Sequence, residues 1–402
     1  MNFFDKSLLC GFLGRENQVT LNEKICLFDS KTIDTLNWPS TEDAEYTKKF
    51  LAPIIKNGIA SYIKNIQADV YALKVDSFVF PITVTNENYQ NSWVCSPYGQ
   101  YIGYGKEHTQ LIDNKFLAKL VKSLLAGFGS ISRAGRINSV VYVNNWLFST
   151  DLYPKGINED HISLMVSYLR EHFPKHAIVF RSLNPLTNSS LIQALQNTGF
   201  HLLASRQVHL TDTRNEEIFQ RRIVKSDLKL LRESPYEIID ESKICRSECD
   251  TLLNLYRLLY IVQHLHSHLQ PNFNLNYVEH IFDQGILNFK VLKHAGQIKG
   301  VAGYFERGGV MLCPFFGYDK EDPEHNAIYR CLSTSLLMEA KKRGVIFHQS
   351  AGASTYKSIR RAESCLESIA FYSKHLPAKQ KLFWTVLKTF INATAPRYMK
   401  KY

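Results

Sequence analysis

The sequence predicts a mixed α/β fold in which one strand-and-helix pattern occurs twice. Three observations predict it. From Asn288 to His375 the chain reads strand, strand, strand, loop, long helix, strand, short helix, strand. Ala177–Asn184 (AIVFRSLN) and Val345–Gly352 (VIFHQSAG) each precede a short helix and a terminal strand, so the pattern repeats although identity is slight. Finally, 402 residues with 45% hydrophobic and 21% charged content are enough for two cores of an ordinary globular protein.

The second copy is the clearer one. Asn288–Leu292 is apolar at alternate positions, and 294–297 is a turn. Ile298–Glu306 and Val310–Gly317 are strands separated by Gly308-Gly309, a hairpin signal. A polar loop over Tyr318–His325 leads into a helix over Ala327–Arg343. Ile328, Cys331, Leu332, Leu336 and Ala340 share one face of it, and Gly344 stops it. Val345–Ser350 is a strand, Tyr356–Glu363 a short basic helix, and Glu367–Ser373 the last strand.

The first copy is less regular. A helix is expected from about residue 40 to 65, interrupted at Pro53. Val70–Asp76 and Phe78–Thr85 are strands, Trp93–Ser96 a third short one, and 98–113 a surface loop. Phe116–Leu125 is a helix, and Ser139–Phe148 one long strand. Ile162–His172 is a helix, Ala177–Phe180 a strand, Ser189–Asn197 a helix and Gly199–Leu210 a strand pair or one bent strand. Between the copies, Arg221, Arg222, Lys225, Lys229 and Arg232 form a basic stripe at helical spacing, and Cys249–Leu269 reads as a helix. The expected organisation is therefore 1–214, a basic helical connector 215–245, a second unit 246–377, and a C-terminal amphipathic helix and tail 378–402.

The net charge of +11 favours anionic partners such as nucleic acid, a nucleotide-bearing substrate or an anionic membrane. No run approaches the roughly 20 apolar residues of a spanning helix. Eight scattered cysteines read as reduced thiols, and no apolar core follows Phe3-Phe4-Asp5-Lys6, so the expected location is cytoplasmic. Cys245, Cys249, His264 and His268 approach a zinc-finger spacing, but they lie on and around a long helix, and no metal is expected. There is no P-loop, Rossmann fingerprint or nucleophile elbow.

The element order, Gly317-Tyr318-Asp319, the helix near Tyr329-Arg330, Ser350–Gly352, and Tyr356-Lys357 followed by Arg360-Arg361 resemble the GNAT acyltransferases. More narrowly they resemble the two-domain Fem-type aminoacyltransferases, whose Phe-Lys pair stands where this chain has Tyr356-Lys357. The resemblance implies two tandem GNAT-like domains, each a mixed twisted sheet flanked by helices, with the second as the active half. It also implies transfer of an acetyl, longer acyl or aminoacyl group to an amine. Acyl-CoA or aminoacyl-tRNA would be the donor, and a small molecule or cell-wall precursor the acceptor. Asn184 and Gly199-Phe200 fit the same family pattern in the first half.

By that resemblance Lys357 is the leading catalytic candidate, because a fixed cation stabilises the oxyanion of acyl transfer. Tyr356 accompanies it, and His348 at the end of its strand is a candidate base. Arg360 and Arg361 suit a phosphate or carboxylate. Tyr318, Asp319 and Gly352 flank the expected donor site. Coenzyme-A-dependent GNATs place a glycine-rich loop before the long helix, to hold a pyrophosphate. This chain has Asp319-Lys-Glu-Asp-Pro-Glu324, with no glycine and four acids. That weighs against acyl-CoA and leaves aminoacyl-tRNA open. A binding module without chemistry is the second reading. Each candidate also has a plainer one: a solvated basic helix, a satisfied core histidine, a solvated capped loop. The C-terminal helix suits either docking on its own core or peripheral membrane contact.

Overall fold

Apolar runs of period two become strands wherever a turn residue lets the chain reverse. The computed structural model describes residues 24–264 and 267–399. The opening Phe3–Lys6 stretch and the last residues of the expected 378–402 segment lie outside the described residues. The first half contains β1 (Ile25–Phe28), α1 (Glu42–Asn57), β2 (Asp69–Val75), β3 (Phe78–Thr85), α2 (Tyr104–His108), α3 (Lys115–Ala134), β4 (Val140–Val143), α4 (Glu159–His172), β5 (Ala177–Leu183), α5 (Ser189–Asn197) and β6 (His201–Asp212). Next come α6 (Glu217–Gln220) and α7 (Arg222–Glu233). The second half then runs β7 (Glu237–Asp240), α8 (Cys249–Arg257), α9 (Leu275–Asp283), β8 (Asn288–His294), β9 (Gln297–Arg307), β10 (Val310–Tyr318), α10 (His325–Arg343), β11 (Ile346–His348), α11 (Ser354–Ser358) and β12 (Glu363–Tyr372). A final helix, α12, spans Ala378–Met399.

All the strands join one sheet in the order β1-β2-β3-β4-β5-β12-β6-β11-β10-β9-β8-β7. Adding six to each label of the first half reproduces the second half read backwards, so the sheet has an internal two-fold pattern. β4 is parallel to β5 and β10 is parallel to β11, and the remaining pairs are antiparallel. The terminal strands are exchanged. β12, from the second half, pairs with β5 of the first; β6, from the first half, pairs with β11 of the second; and β6 and β12 pair with each other. The fold is a mixed α/β architecture of two similarly ordered halves with a shared central strand pair.

Local chemistry sets the turns. Gly308 and Gly309 both have positive φ (64° and 81°), as do Ala295 and Gly296 (49° and 77°). Two successive left-handed residues match the twist of flanking strands in a tight hairpin. Gly344 ends α10 at φ 67°. Pro53 sits inside α1 without ending it, and α1 stops at Asn57 before Gly58.

Several local expectations are corrected. The expected loop 98–113 is a run of helical turns with Tyr101 and Ile102 buried. The expected strand Trp93–Ser96 is a 3-10 turn. The strand expected over Ser139–Phe148 stops at Val143, because Asn144 and Leu147 take positive φ (60° and 63°). The helix expected over Cys249–Leu269 ends at Arg257 and passes into a wider turn over Leu258–Val262. β7 lies inside the stretch 215–245 expected as a helical connector.

One core runs across both halves on one face. It contains Phe50, Ile54 and Trp146 from the first half and Phe273, Tyr277 and Phe315 from the second. Arg307 of β9 adds a polar tie. It forks onto Asp43 of α1 at 2.6 and 2.8 Å, donates to Asn144 Oδ1 and Leu152 O, and lies over the Trp146 ring.

Candidate active site

Each half has a wedge where its two parallel strands part. In the second half β10 and β11 pair over Val310–Leu312 and Ile346–His348 and then separate. Between Leu312 and Phe315 the register of β10 against β9 shifts. Pro314 lies in that shift and has no N–H to give to a ladder. Beyond His348 the backbone turns through left-handed residues: Ser350 (φ 57°), Gly352 (φ 76°) and Ala353 (φ 48°). Gly317 of β10 lets α8 cross closely, since a Cβ there would meet the backbone of Leu255 and Tyr256 at 2.6 Å.

Aromatic side chains gather beside the wedge. Tyr329 of α10 lies 4.9 Å from Tyr356, 5.8 Å from Phe316 and 6.0 Å from Tyr318, centroid to centroid. Tyr260 supplies a fourth phenol. Burial raises all these phenols, Tyr329 to about 12, so they stay neutral donors.

Lys357 points back under the strand end. Its Nζ donates to Gln349 O at 2.6 Å, Ala351 O at 2.8 Å and Ser350 O at 3.3 Å. It is buried. Burial and the Arg206 guanidinium push the ammonium down to about 7, and the three carbonyl acceptors work against that shift. Tyr356, its neighbour, carries the Arg360 guanidinium 3.4 Å from its ring centroid.

Arg360 is already paired. Its Nε and a terminal nitrogen bond Asp227 of α7 at 2.5 and 3.1 Å, and Arg330 of α10 reaches the same carboxylate. The expected carboxylate partner of Arg360 is thus one of the chain's own. Gly352, before α11, and Arg361 (φ 65°), after it, are exposed.

His348 is buried and neutral. Its Nδ1 accepts the Ser350 N–H at 3.1 Å, so Nε2 carries the proton, 4.0 Å from Glu367 Oε2. Burial, together with Arg206 and Lys357, lowers it to about 3. A lone pair committed in this way makes a poor base near neutrality.

The loop between β10 and α10 supplies its own anions. Asp319 Oδ1 accepts from Gln263 Nε2 (2.7 Å) and from the Glu321 N–H (2.8 Å). Gln263 Oε1 takes the Lys320 N–H, Asp322 Oδ1 the Glu324 N–H, and Asp322 O the His325 N–H. Four backbone donors of this loop, at Lys320, Glu321, Glu324 and His325, are therefore consumed internally, and the carboxylates at the helix start disfavour an anion there.

The first-half wedge is filled. β4 and β5 pair only to Val143 and Phe180. Beyond them lies the buried Arg181–Asp151 ion pair at 3.3 Å. Arg181 also donates to Asn145 Oδ1 and stacks over Trp93, while Ser182 Oγ accepts the Asp151 N–H. Burial raises Asp151 to about 6. Ser182 (φ 58°) and Ser350 (φ 57°) occupy equivalent positions with the same left-handed backbone.

A polar bridge connects the two wedges. Arg206 of β6 bonds Glu367 of β12 at 2.7 Å and Ser149 O at 2.7 Å, and also takes Thr150 Oγ1 as an acceptor; Thr150 Oγ1 lies 3.4 Å from Ser350 Oγ. Sequence reasoning missed Asp227, Gln263, Arg206 and the Arg181–Asp151 pair. For Asp227 a signal existed, because Val224 and Asp227 share the core face of α7 and a lone carboxylate there requires a cation. Among the described residues no group of three or more metal-ligating side chains comes together.

The sequence matches no family model and no curated protein. Solved structures resemble it at low identity. A crystal structure of FemX is 10% identical and covers 84% of this chain and 93% of its own, with a TM-score of 0.49. A tandem GNAT protein from the clavulanic acid biosynthesis pathway is 7% identical, covering 88% and 99%, with a TM-score of 0.39. The C-terminal domain of a putative lysylphosphatidylglycerol synthetase from Agrobacterium fabrum is 13% identical, covering 58% and 77%, with a TM-score of 0.42.

Proposed function

We propose that the protein is an N-acyltransferase whose second half moves an aminoacyl group from a tRNA ester to an amine. The observation that supports this is the second-half wedge itself. Two parallel strands part beside a buried lysine, and the adjoining loop carries four acids and has spent four of its N–H groups internally. An acyl-CoA donor would be gripped there through its pyrophosphate, whereas an aminoacyl ester needs no such grip. The acceptor nitrogen attacks the ester carbonyl, a C–N bond forms, and the C–O bond to the tRNA breaks. The proton lost by the amine balances the one gained by the ribose hydroxyl. The Lys357 ammonium stabilises the oxyanion after releasing its longest bond, the one to Ser350 O. Tyr318, Tyr329 and Tyr356 lie beside the wedge, and the acceptor on this reading is a small amine or an amine-bearing cell-wall precursor.

Single-turnover transfer from a set of aminoacyl-tRNAs to amine acceptors tests this. Lys357→Met should lose about a hundredfold or more in rate. Coenzyme A and acetyl-coenzyme A should leave the unfolding temperature unchanged. A stabilisation near the roughly 2.7 kcal/mol that a ligand gives at 100 times its dissociation constant would overturn the choice of donor. A second reading, binding without turnover, is favoured by one observation: all three Lys357 protons are engaged by backbone carbonyls. Wild-type transfer by Lys357→Met would remove the lysine from the chemistry.

A further inference from the structure

Two segments fall outside the repeated pattern. The first half has residues 86–139 between β3 and β4, where the second half has only Gly308-Gly309 between β9 and β10. The second half continues into α12, where the first half passes into α6 and α7. These additions pack on each other: Phe128 of α3 meets Phe383 and Phe390 of α12 at 6.0 and 5.5 Å, and Phe383 fills the space beside Gly135.

Together they leave an apolar strip uncovered. Phe116, Leu120, Leu124 and Ile131 of α3 are exposed, Phe116 at 79% and Leu124 at 66%. Their spacing puts them on one side of the helix. They do not serve the core, which takes Phe128, Gly129 and Ser132 from a different side. On α12, Leu382, Val386 and Phe390 are exposed at successive four-residue steps, while Phe383, Trp384 and Leu387 fill the core. Phe128 joins the two strips.

The charge carried by these two helices has one sign. Neither Lys115–Ala134 nor Ala378–Met399 contains an aspartate or glutamate. Lys115, Lys119, Lys122 and Arg133 on α3, with Lys379 and Lys381 on α12, are exposed. No salt bridge engages Lys119 or Lys122 among the described residues. Asp113, just before α3, is the nearest acid in sequence. No helix of the described residues is long and apolar enough to cross a membrane. An apolar strip beside a purely cationic one fits a surface that is greasy at depth and negative at its edge.

We propose that α3 and α12 form a docking face for an anionic lipid bilayer, with Phe116, Leu120 and Leu124 entering the headgroup boundary and Lys119 and Lys122 pairing with lipid phosphates. The face is separate from the β10–β11 wedge. It would hold the protein at a membrane, where a lipid-borne acceptor would be concentrated. Binding to vesicles is read without donor or acceptor, so this proposal and the transfer chemistry stand or fall separately.

The test is co-sedimentation of the full chain with phosphatidylglycerol–phosphatidylcholine vesicles and with phosphatidylcholine alone. Binding is expected to the first only, and should weaken as salt rises. Phe116→Ser/Leu120→Ser/Leu124→Ser and, separately, Lys119→Glu/Lys122→Glu should each weaken it by about tenfold or more. Circular dichroism and an unchanged unfolding temperature establish that these surface variants remain folded, and the charge variant stands alone if the apolar one does not fold. Wild-type protein that ignores anionic vesicles, or variants that bind like wild type, would overturn the proposal. A wild-type dimer dissolved by the apolar variant, with no vesicle binding, would assign the face to a second copy instead.

Discussion

The two wedges start from the same backbone and end in opposite states. In each, a short parallel pair parts and a serine near φ 57° turns the chain. In the first half an arginine follows Phe180, and the wedge closes around the buried Arg181–Asp151 pair. In the second half a glutamine follows His348; the space beside it holds tyrosines, and a lysine is drawn beneath the strand end. One pair of equivalent positions, Arg181 against Gln349, thus distinguishes a wedge filled as structural core from one with a buried lysine at its edge. A repeat can keep its scaffold in both copies while one copy trades its cleft for packing.

The comparison breaks most visibly through stability. Arg181→Ala leaves Asp151 buried without its cation and should cost about 3–5 kcal/mol, while Gln349→Ala loses one side-chain hydrogen bond and should cost about 1 kcal/mol. Urea denaturation of both variants measures the gap, and equal losses would show that the first wedge is not held by its ion pair. Arg181→Met/Asp151→Leu should recover most of the loss, because an apolar pair of similar volume avoids the desolvation cost.

Asp227→Ala comes next. It strands the buried Arg360 and the half-buried Arg330 together, and a loss of about 3 kcal/mol is expected by the same measurement. Asp227→Asn should lose less, since it keeps one acceptor.

The pH dependence of stability separates the halves by sign. Lys357 has a folded value of about 7 against an ordinary 10.5, so between those values only the unfolded chain holds the proton. Its contribution therefore rises with pH across that window, and its full cost is present below about 7. Asp151 has a folded value of about 6 against 3.8, so there only the folded chain holds the proton, and stability falls as pH rises from about 4 to about 6. Denaturation across pH should show the alkaline slope flattened in Lys357→Met and the acid slope flattened in Asp151→Asn. A variant that leaves its slope untouched would show that its group titrates normally.

The smallest expected effect is at the loop. Gln263→Ala releases the Lys320 N–H and one bond to Asp319, at about 1 kcal/mol. Gln263→Ala/Asp319→Gly would also return two backbone donors to the helix mouth. Any gain in coenzyme A affinity, read by calorimetry, would be confined to that double variant.

What could be read from the sequence was local. Gly308-Gly309 specifies a hairpin turn, and Gly344 ends a helix whose apolar face is visible at i, i+3 and i+4, because those rules need no partner from elsewhere. β1 and β7 escaped because four residues are too few to show alternation. Arg360 read as a cation awaiting an outside anion, yet its partner lies 133 residues earlier, on a helix whose other charges are mostly basic. The exchange of β6 and β12 left no trace either, since each reads as an ordinary terminal strand and only its neighbour differs.

That exchange has a consequence for how the chain is made. A ribosome that has released residues 1–214 has delivered β5 and β6 but not β12, the strand that belongs between them. The first half then carries an open edge at β5 and a β6 with neither of its neighbours, both of which invite pairing with other chains, until synthesis passes about residue 372. A truncated product of the first half alone should aggregate. Two fragments divided between β6 and α6 should be soluble only when made together, each completing its sheet with the other's last strand.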